Sequence, residues 1–318
     1  MKSKVCLIIP YFGRFPEYFD FWLKSCEYNR CINWLLITNN IVNNLPNNVQ
    51  VINMQFDDLR NRIQKYFDFP ISLDSYYKLC DFKPCYGLVF REELKEYDFW
   101  GHCDMDLIWG NFEKFLNDDI LSKYDRFFTR GHLVIYRNTD EVCNWFRTLE
   151  LPGSYDYKQI LSSPKSFAFD ESGGKTSWGG MTKAVKNNNK KQYYNICFDD
   201  VNFTYRHFYS KKRIVGLESL PIDKIKKYPS FYTFNEGTLV KKIFINNNIY
   251  INESLYVHFQ KRTFSVFTSN TSKYNIVPNK FLPFEVDLPT LWKLSRVHLI
   301  RYSYYFNCLK NKIKNIFK

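Results

Sequence analysis

The stretch Tyr97-Asp98-Phe99-Trp100-Gly101-His102-Cys103-Asp104-Met105-Asp106 decides how this chain is read. Its apolar part has the character of a buried strand, and two carboxylates at i and i+2 stand where that strand runs out. Ending a buried strand in two acids is costly unless something neutralises them. At that spacing they are close enough to share one divalent ion. A hard cation such as Mg²⁺ or Mn²⁺ takes oxygen ligands and keeps positions open for substrate phosphates. As a bare pattern Asp-x-Asp is weak, and the alternative is a pair of acidic turn residues capping the chain from Ile108 onward. Its weight comes from what surrounds it.

Upstream, Val5-Cys6-Leu7-Ile8-Ile9-Pro10 is a continuous apolar run closed by Pro10 and Gly13, as in a parallel strand buried on both faces. Residues 16–28 read as a helix with Phe19, Trp22, Leu23 and Cys26 on one face. Strands are predicted over Trp34–Thr38 and Val49–Met54. Asp57 is placed to cap a helix reaching Phe67, and a further helix is expected over residues 84–94. Strand, helix, strand, helix, strand predicts a doubly wound α/β fold: a mixed, mainly parallel sheet flanked by helices, with ligands at the carboxyl ends of its strands. Downstream, Phe127–Tyr136 reads as a strand pair around Gly131, Glu141–Leu149 as a helix, and Lys186–Gln192 as a polar surface loop. Lys242–Ile251, around three asparagines, reads as a hairpin. One domain over residues 1–288 with an appendage over 289–318 is the expected organisation.

Composition sets the outer limits. With 318 residues, 45% hydrophobic and 24% charged, the chain is neither disordered nor fibrous. A chain of this length buries roughly three quarters of its unfolded surface and needs no disulfides. No apolar run approaches the ~18 residues of a membrane span. The run Val5–Phe12 lacks a cleavage site of small residues after it, so a cytoplasmic protein is expected. Nine scattered cysteines without a Cys-x-x-Cys pair argue against a disulfide framework and against a zinc site of ordinary spacing. The formal charge of +13 is uneven: residues 1–150 carry 18 basic and 21 acidic side chains, residues 151–318 carry 27 and 11. The basic half has to meet something anionic, such as ligand phosphates, a lipid surface or RNA.

The appendage is basic and amphipathic. Trp292, Leu299, Tyr302, Phe306, Leu309, Ile313 and Ile316 recur at helical spacing, and no acid follows Asp287. That composition suits a helix lying on an anionic membrane surface. Packing on the main domain or on a protein partner are the alternatives.

Together with these elements, Tyr77-Lys78-Leu79-Cys80-Asp81-Phe82-Lys83-Pro84, the Asp104-x-Asp106 pair, Arg130-Gly131-His132 with Tyr136-Arg137-Asn138, Phe169-Asp170-Glu171 and Val257-His258-Phe259-Gln260-Lys261-Arg262 resemble the GT-A fold nucleotide-sugar glycosyltransferases. More closely, they resemble a family of bacterial proteins encoded in capsule and O-antigen clusters. The resemblance implies a nucleotide-binding half over residues 1–110 and an acceptor half over 111–288. It implies Mn²⁺ or Mg²⁺ on Asp104, Asp106 and His258. Donor contacts would come from Pro10, Tyr11, Thr38, Asn39, Asp81, Lys83, Asp104, Lys261 and Arg262. Asp81 would either fix Lys83 or bond a donor hydroxyl, and Tyr11 would either stack on the base or serve as a core residue. A carboxylate base is implied at Asp170 or Glu171, with the choice open. His132, Trp178 and Gly179 would face the acceptor, although a structural role competes for His132.

The implied activity is metal-dependent transfer of a sugar from a nucleotide donor, a UDP-hexose with galactose or galactofuranose foremost. The acceptor would be a lipid-linked or oligosaccharide chain at the inner membrane face, and inversion is favoured. Two rivals use the same residues differently. A basic, aromatic RNA-binding protein would show steep salt dependence, but the acidic first half speaks against it and no nucleic-acid partner is expected. A metal-dependent phosphodiesterase or nucleotidyltransferase would release nucleoside monophosphate or pyrophosphate in place of nucleoside diphosphate. No P-loop, dinucleotide fingerprint, zincin or hydrolase-elbow motif is present in the sequence.

Overall fold

The computed structural model describes residues 1–151, 153, 155–171, 180–201, 228–260 and 262–296. The chain forms two compact units. The first comprises Met1–Arg14, Asn29–Met105 and Phe112–Asn195, and the second Phe15–Tyr28, Asp106–Asn111 and Ile196–Lys318. Among the residues singled out from sequence, Trp178, Gly179, Lys261 and the tail beyond Arg296 lie outside the described set.

The first unit is built on a seven-stranded sheet. Its strands are β1 (Val5–Pro10), β2 (Ile32–Thr38), β3 (Val49–Asn53), β4 (Phe99–Cys103), β6 (Arg126–Arg130), β7 (Leu133–Arg137) and β8 (Gln192–Tyr193), in the order β3-β2-β1-β4-β7-β6-β8. The pairs β3/β2, β2/β1, β1/β4 and β6/β8 are parallel, while β4/β7 and β7/β6 are antiparallel. The expected mixed, mainly parallel sheet is therefore present. Its apolar runs are continuous because both faces are covered: β1 is buried from Val5 to Ile9 and β4 throughout. One face carries Cys6, Ile8, Leu35, Ile37, Trp100, Val134 and Tyr136 in a core shared with the helix Phe56–Gln64 and the short helices between residues 79 and 89 and between 140 and 162.

Several expected helices differ in detail. The helix after β3 starts at Phe56 with Gln55 as an extended N-cap that makes no side-chain bond. Asp57 sits inside its first turn, where a carboxylate favours the amide-rich end without capping it. In place of one helix over 84–94, four short helical turns follow one another: Tyr76–Lys78, Leu79–Phe82, Lys83–Cys85 and Tyr86–Val89. Pro84 has no amide hydrogen and breaks the hydrogen-bond series. The expected helix over 141–149 is interrupted at Asn144.

Among the described residues, the second unit has two sheets. β5 (Leu107–Trp109), β13 (Tyr256–His258) and β9 (Asp199–Asp200) form a three-stranded sheet in the order β5-β13-β9. The strands β10 (Ser230–Asn235), β11 (Thr238–Ile245), β12 (Asn248–Glu253), β14 (Ser265–Val266), β15 (Lys273–Val277) and β16 (Lys280–Pro283) form the other, in the order β12-β11-β10-β15-β16-β14. The expected hairpin is β11–β12. Its two turn residues, Asn246 and Asn247, have φ of 45° and 65°, the left-handed pair that tight hairpins need and asparagine tolerates. The predicted helix over 16–28 runs from Phe19 to Glu27, with Phe21 packed edge-on to Tyr274. The helix Leu288–Ser295 seats Leu291 on Phe231, Val277 and Leu282. It leaves Trp292 exposed, with the Arg296 guanidinium 4.1 Å from the centre of its ring.

Candidate active site

In the first unit the carboxyl ends of three neighbouring parallel strands gather most of the residues expected to meet a donor. Pro10 ends β1 opposite Ile37 of β2, and the Tyr11 amide continues the ladder to the Ile37 carbonyl at 2.8 Å. The Tyr11 hydroxyl donates to the Arg14 carbonyl at 3.0 Å, which turns the chain back on itself. Thr38 closes β2, and its Oγ1 accepts from the Asn40 amide at 3.2 Å and from Asn40 Nδ2 at 3.0 Å. Asn39 Nδ2 reaches Gln55 Oε1 at 3.4 Å. On the other side of β1, β4 delivers Asp104, whose amide is tied to the His132 carbonyl at 3.1 Å. His132 is buried, and its main chain thus fixes the position of Asp104.

Lys83 organises the next layer. Its ammonium donates to Asp104 Oδ1 at 2.7 Å and to the Gly131 carbonyl at 2.9 Å, and lies 3.2 Å from Asp170 Oδ2. The Gly131 amide donates to Glu171 Oε1 at 2.9 Å. The β6–β7 hairpin reaches this point through an irregular register between Phe127 and Arg130, with Phe128 at φ 65°, a bulge that redirects the loop. A Cβ at 131 would lie 2.2 Å from Asp170 Oδ2, so a larger residue there has to push that carboxylate away. Burial raises the Asp170 pKa, the Lys83 charge lowers it, and Glu171 and Asp104 raise it again, leaving it at about 7. Burial opposes the charge on Lys83, but Asp104 and Asp170 override it and hold the ammonium well above its ordinary pKa. The cluster is a cation shared by two acids, one of them poised to exchange a proton near neutrality.

Asp81 stands apart from this. It is fully buried, accepts from Lys78 Nζ at 2.7 Å, and takes the amides of Phe167 and Phe169 at 2.9 Å each. The expectation from sequence is that it fixes Lys83 or bonds a donor hydroxyl. Its oxygens face the 167–169 main chain, and Lys83 is held by other groups.

In the second unit, β5, β9 and β13 place three polar side chains together. Phe259 donates its amide to the Asp106 carbonyl at 2.8 Å, continuing the β5–β13 ladder, and Asp200 pairs with His258 in the parallel β9–β13 register. His258 lies between two carboxylates, with Nε2 3.2 Å from Asp106 Oδ1 and Nδ1 2.9 Å from Asp200 Oδ1. Gln260 Nε2 donates to the same Asp200 oxygen at 2.6 Å. Burial alone would lower the His258 pKa; Asp106 and Asp200 overcome it and raise the pKa to about 10. Asp200 went unread in the sequence, although Asp199-Asp200 directly after the apolar Ile196-Cys197-Phe198 is a signal of the same kind as Asp104-x-Asp106. Asp199 itself is buried against Lys241 Nζ at 3.2 Å and Ser254 Oγ at 2.6 Å. Arg262 is buried, with Nη1 donating to Asn279 Oδ1 at 3.1 Å.

An imidazole between carboxylates, with its proton held by their charge, fits a divalent cation. A metal would replace that proton, and a second carboxylate on the far ring nitrogen orients the ligand.

The chain belongs to a family described as a family of unknown function (DUF6625), whose sequence model matches residues 7–285. No curated protein matches it. Similar solved structures include two crystal structures of the glycosyltransferase GlyE from Streptococcus pneumoniae TIGR4. The apo form is 10% identical with a TM-score of 0.27, covering 45% of this chain and 35% of that one. The other is 9% identical with a TM-score of 0.27, covering 46% and 38%. This chain thus spans 35–38% of the length of the structures it matches. A likeness that faint fixes no activity. Among the described residues no helix is long and apolar enough to cross a membrane.

Proposed function

We propose that this chain is a metal-dependent glycosyltransferase of GT-A type. It moves a hexose, with galactose in pyranose or furanose form foremost, from a UDP donor to a growing lipid-linked cell-surface polysaccharide. The anomeric centre is inverted. The observation that carries the reading is Lys83 fixed between Asp104 and Asp170 at the carboxyl edge of a parallel sheet, where open α/β folds bind ligands. The GT-A resemblance of the five motifs supports it.

Asp104, Asp106 and His258 would hold Mn²⁺ or Mg²⁺, which when bound supplies Lewis-acid stabilisation of a departing diphosphate. Pro10, Tyr11, Thr38 and Asn39 receive the nucleoside. The Lys83 ammonium offsets negative charge growing on the leaving group, as a preorganised cation does. As the acceptor oxygen bonds to the anomeric carbon, the bond from that carbon to the donor phosphate oxygen breaks, and the electron pair leaves with the diphosphate. The acceptor proton passes to a carboxylate. Asp170 suits this task because its pKa lies at about 7, matched to the operating pH of a general base. Glu171, held by the Gly131 amide, is the second candidate. His132, Trp178 and Gly179 belong to the acceptor side, and Lys261 and Arg262 to the donor phosphates. The basic tail brings the enzyme to the anionic inner face of the membrane, where a lipid-linked acceptor would reside.

The test is a panel of nucleotide sugars assayed with Mn²⁺ for release of nucleoside diphosphate, with a membrane fraction or oligosaccharide as acceptor. Release of nucleoside diphosphate from one donor supports the proposal. Release of nucleoside monophosphate or pyrophosphate transfers the site to the phosphodiesterase or nucleotidyltransferase reading.

A further inference from the structure

The motif Tyr77–Pro84 contains two charged residues that the proposed chemistry does not use. Lys78 and Asp81 are 2% and 0% exposed and lie 2.7 Å apart. A buried ion pair is a poor source of stability, because desolvation of both charges offsets their attraction. What this pair touches gives it another role. The Lys78 ammonium also donates to the carbonyls of Ile160 at 2.9 Å and Lys165 at 2.6 Å. Asp81 accepts from the amides of Phe167 and Phe169. Between those two amides Ala168 has φ 49°, a left-handed conformation costly for a residue with a Cβ and kept only when its surroundings impose it.

The residues beyond are held as firmly. The Phe169 carbonyl accepts from the Met181 amide at 2.8 Å, and the Glu171 carbonyl from the Thr182 amide at 2.8 Å. The Asp170 carbonyl takes Arg126 Nη2 at 3.2 Å. Gly180 passes so close that a Cβ on it would lie 2.6–2.9 Å from the carbonyls of Glu171, Phe169 and Ala168. The main chain leading into Asp170 is therefore anchored on one side by a single buried carboxylate, which is itself fixed by Lys78.

We infer that Lys78 and Asp81 are positioning residues, whose buried pair clamps residues 165–169 and so sets the Asp170 carboxylate against Lys83. This rests on the transferase reading for its kinetic consequence. Neither side chain touches the reacting groups: Lys78 acts through Asp81 and the carbonyls of Ile160 and Lys165, and Asp81 through the amides of Phe167 and Phe169. Displacing a reacting group by roughly 1 Å costs on the order of a hundredfold in rate, so a slack clamp is felt in turnover before it is felt in donor binding.

The experiment compares wild type with Asp81→Asn, which keeps the side-chain volume, and with the charge-free double variant Lys78→Met/Asp81→Asn, which leaves no buried charge unpaired. Amide exchange at Phe167 and Phe169, UDP affinity with Mn²⁺ by calorimetry, and single-turnover transfer are measured on each. Faster exchange at those two amides, UDP affinity within about twofold, and turnover reduced about tenfold or more support the inference. Turnover unchanged despite faster exchange overturns it, and the pair is then a structural staple only. If wild type transfers no sugar from any donor, the proposed function fails. The positioning claim is then judged on crystal structures of the same proteins: Asp170 displaced from Lys83 in Asp81→Asn upholds it, and an unmoved contact overturns it.

Discussion

Replacing Gly131 with Ala applies a defined push to the candidate base. The added Cβ would lie 2.2 Å from Asp170 Oδ2, 2.8 Å from Asp170 Cγ and 3.0 Å from Glu171 Cγ. Ordinary van der Waals contact begins at 3.4 Å, so the Asp170 carboxylate must retreat by about 1 Å in a packed interior that yields little. Its 3.2 Å contact with Lys83 is lost or distorted, and Glu171 is turned against its own bond to the 131 amide. The overpacking itself costs about 1–3 kcal/mol, worth a fall in Tm of about 2–12 °C at roughly 2–4 °C per kcal/mol. The effect on transfer is larger, on the order of a hundredfold in kcat for a displacement of that size. Mn²⁺ and UDP affinity should stay within about twofold, since the groups that hold them are not displaced. Single-turnover transfer and calorimetric UDP binding on the same preparation separate the two effects. Wild-type kcat in a Gly131→Ala protein that melts within a few degrees of wild type would refute the placement of Asp170 and Glu171 at the reacting centre.

Two other perturbations follow from the same geometry. Asp200→Asn removes the charge that orients His258, and Mn²⁺ affinity read by electron paramagnetic resonance should fall about 10–100-fold without loss of the fold. Asp170, with its pKa raised to about 7, must be ionised to accept a proton, so kcat should rise with pH through about 7 and level off above it. The stability contribution of Asp170 has the opposite slope. Its folded pKa lies above the unfolded one, so the native state binds the extra proton between about pH 4 and 7 and this group's contribution declines as pH rises across that window. A kcat profile flat from pH 5 to 8 would assign the proton to another group.

How much of this was legible in the sequence depended on the kind of signal. β1, β2 and β4 were readable because strands buried on both faces leave largely unbroken apolar runs, the half-exposed edge strand β3 because Val49, Val51 and Ile52 stand out between polar neighbours, and the β11–β12 hairpin because paired asparagines mark a left-handed turn. The helical turns from Tyr76 to Val89 were harder to place. Pro84 disrupts the hydrogen bonding locally, and tertiary packing of Phe82, Tyr86 and Val89 sets the outcome. Asp104 and Lys83 stood out by position and motif. Their meeting point with Asp170 and Gly131 joins segments remote in sequence, and no local spacing encodes such a contact. The partners of Asp81 were hidden for a related reason: nothing local to its motif points to the amides of Phe167 and Phe169. Asp200 was missed because an acidic pair on a two-residue strand has no periodicity to announce it.

The central claim is that the Asp104-x-Asp106 pair holds a metal that serves transfer of a sugar from a nucleotide. The most direct measurement is nucleoside diphosphate release from UDP-hexoses by wild type and Asp106→Asn, each with Mn²⁺ and with EDTA. The account predicts release by wild type with Mn²⁺, none with EDTA, and loss of about two orders of magnitude or more in Asp106→Asn, whose melting temperature stays close to that of wild type. Equal release by both proteins, or release that survives EDTA, would contradict it.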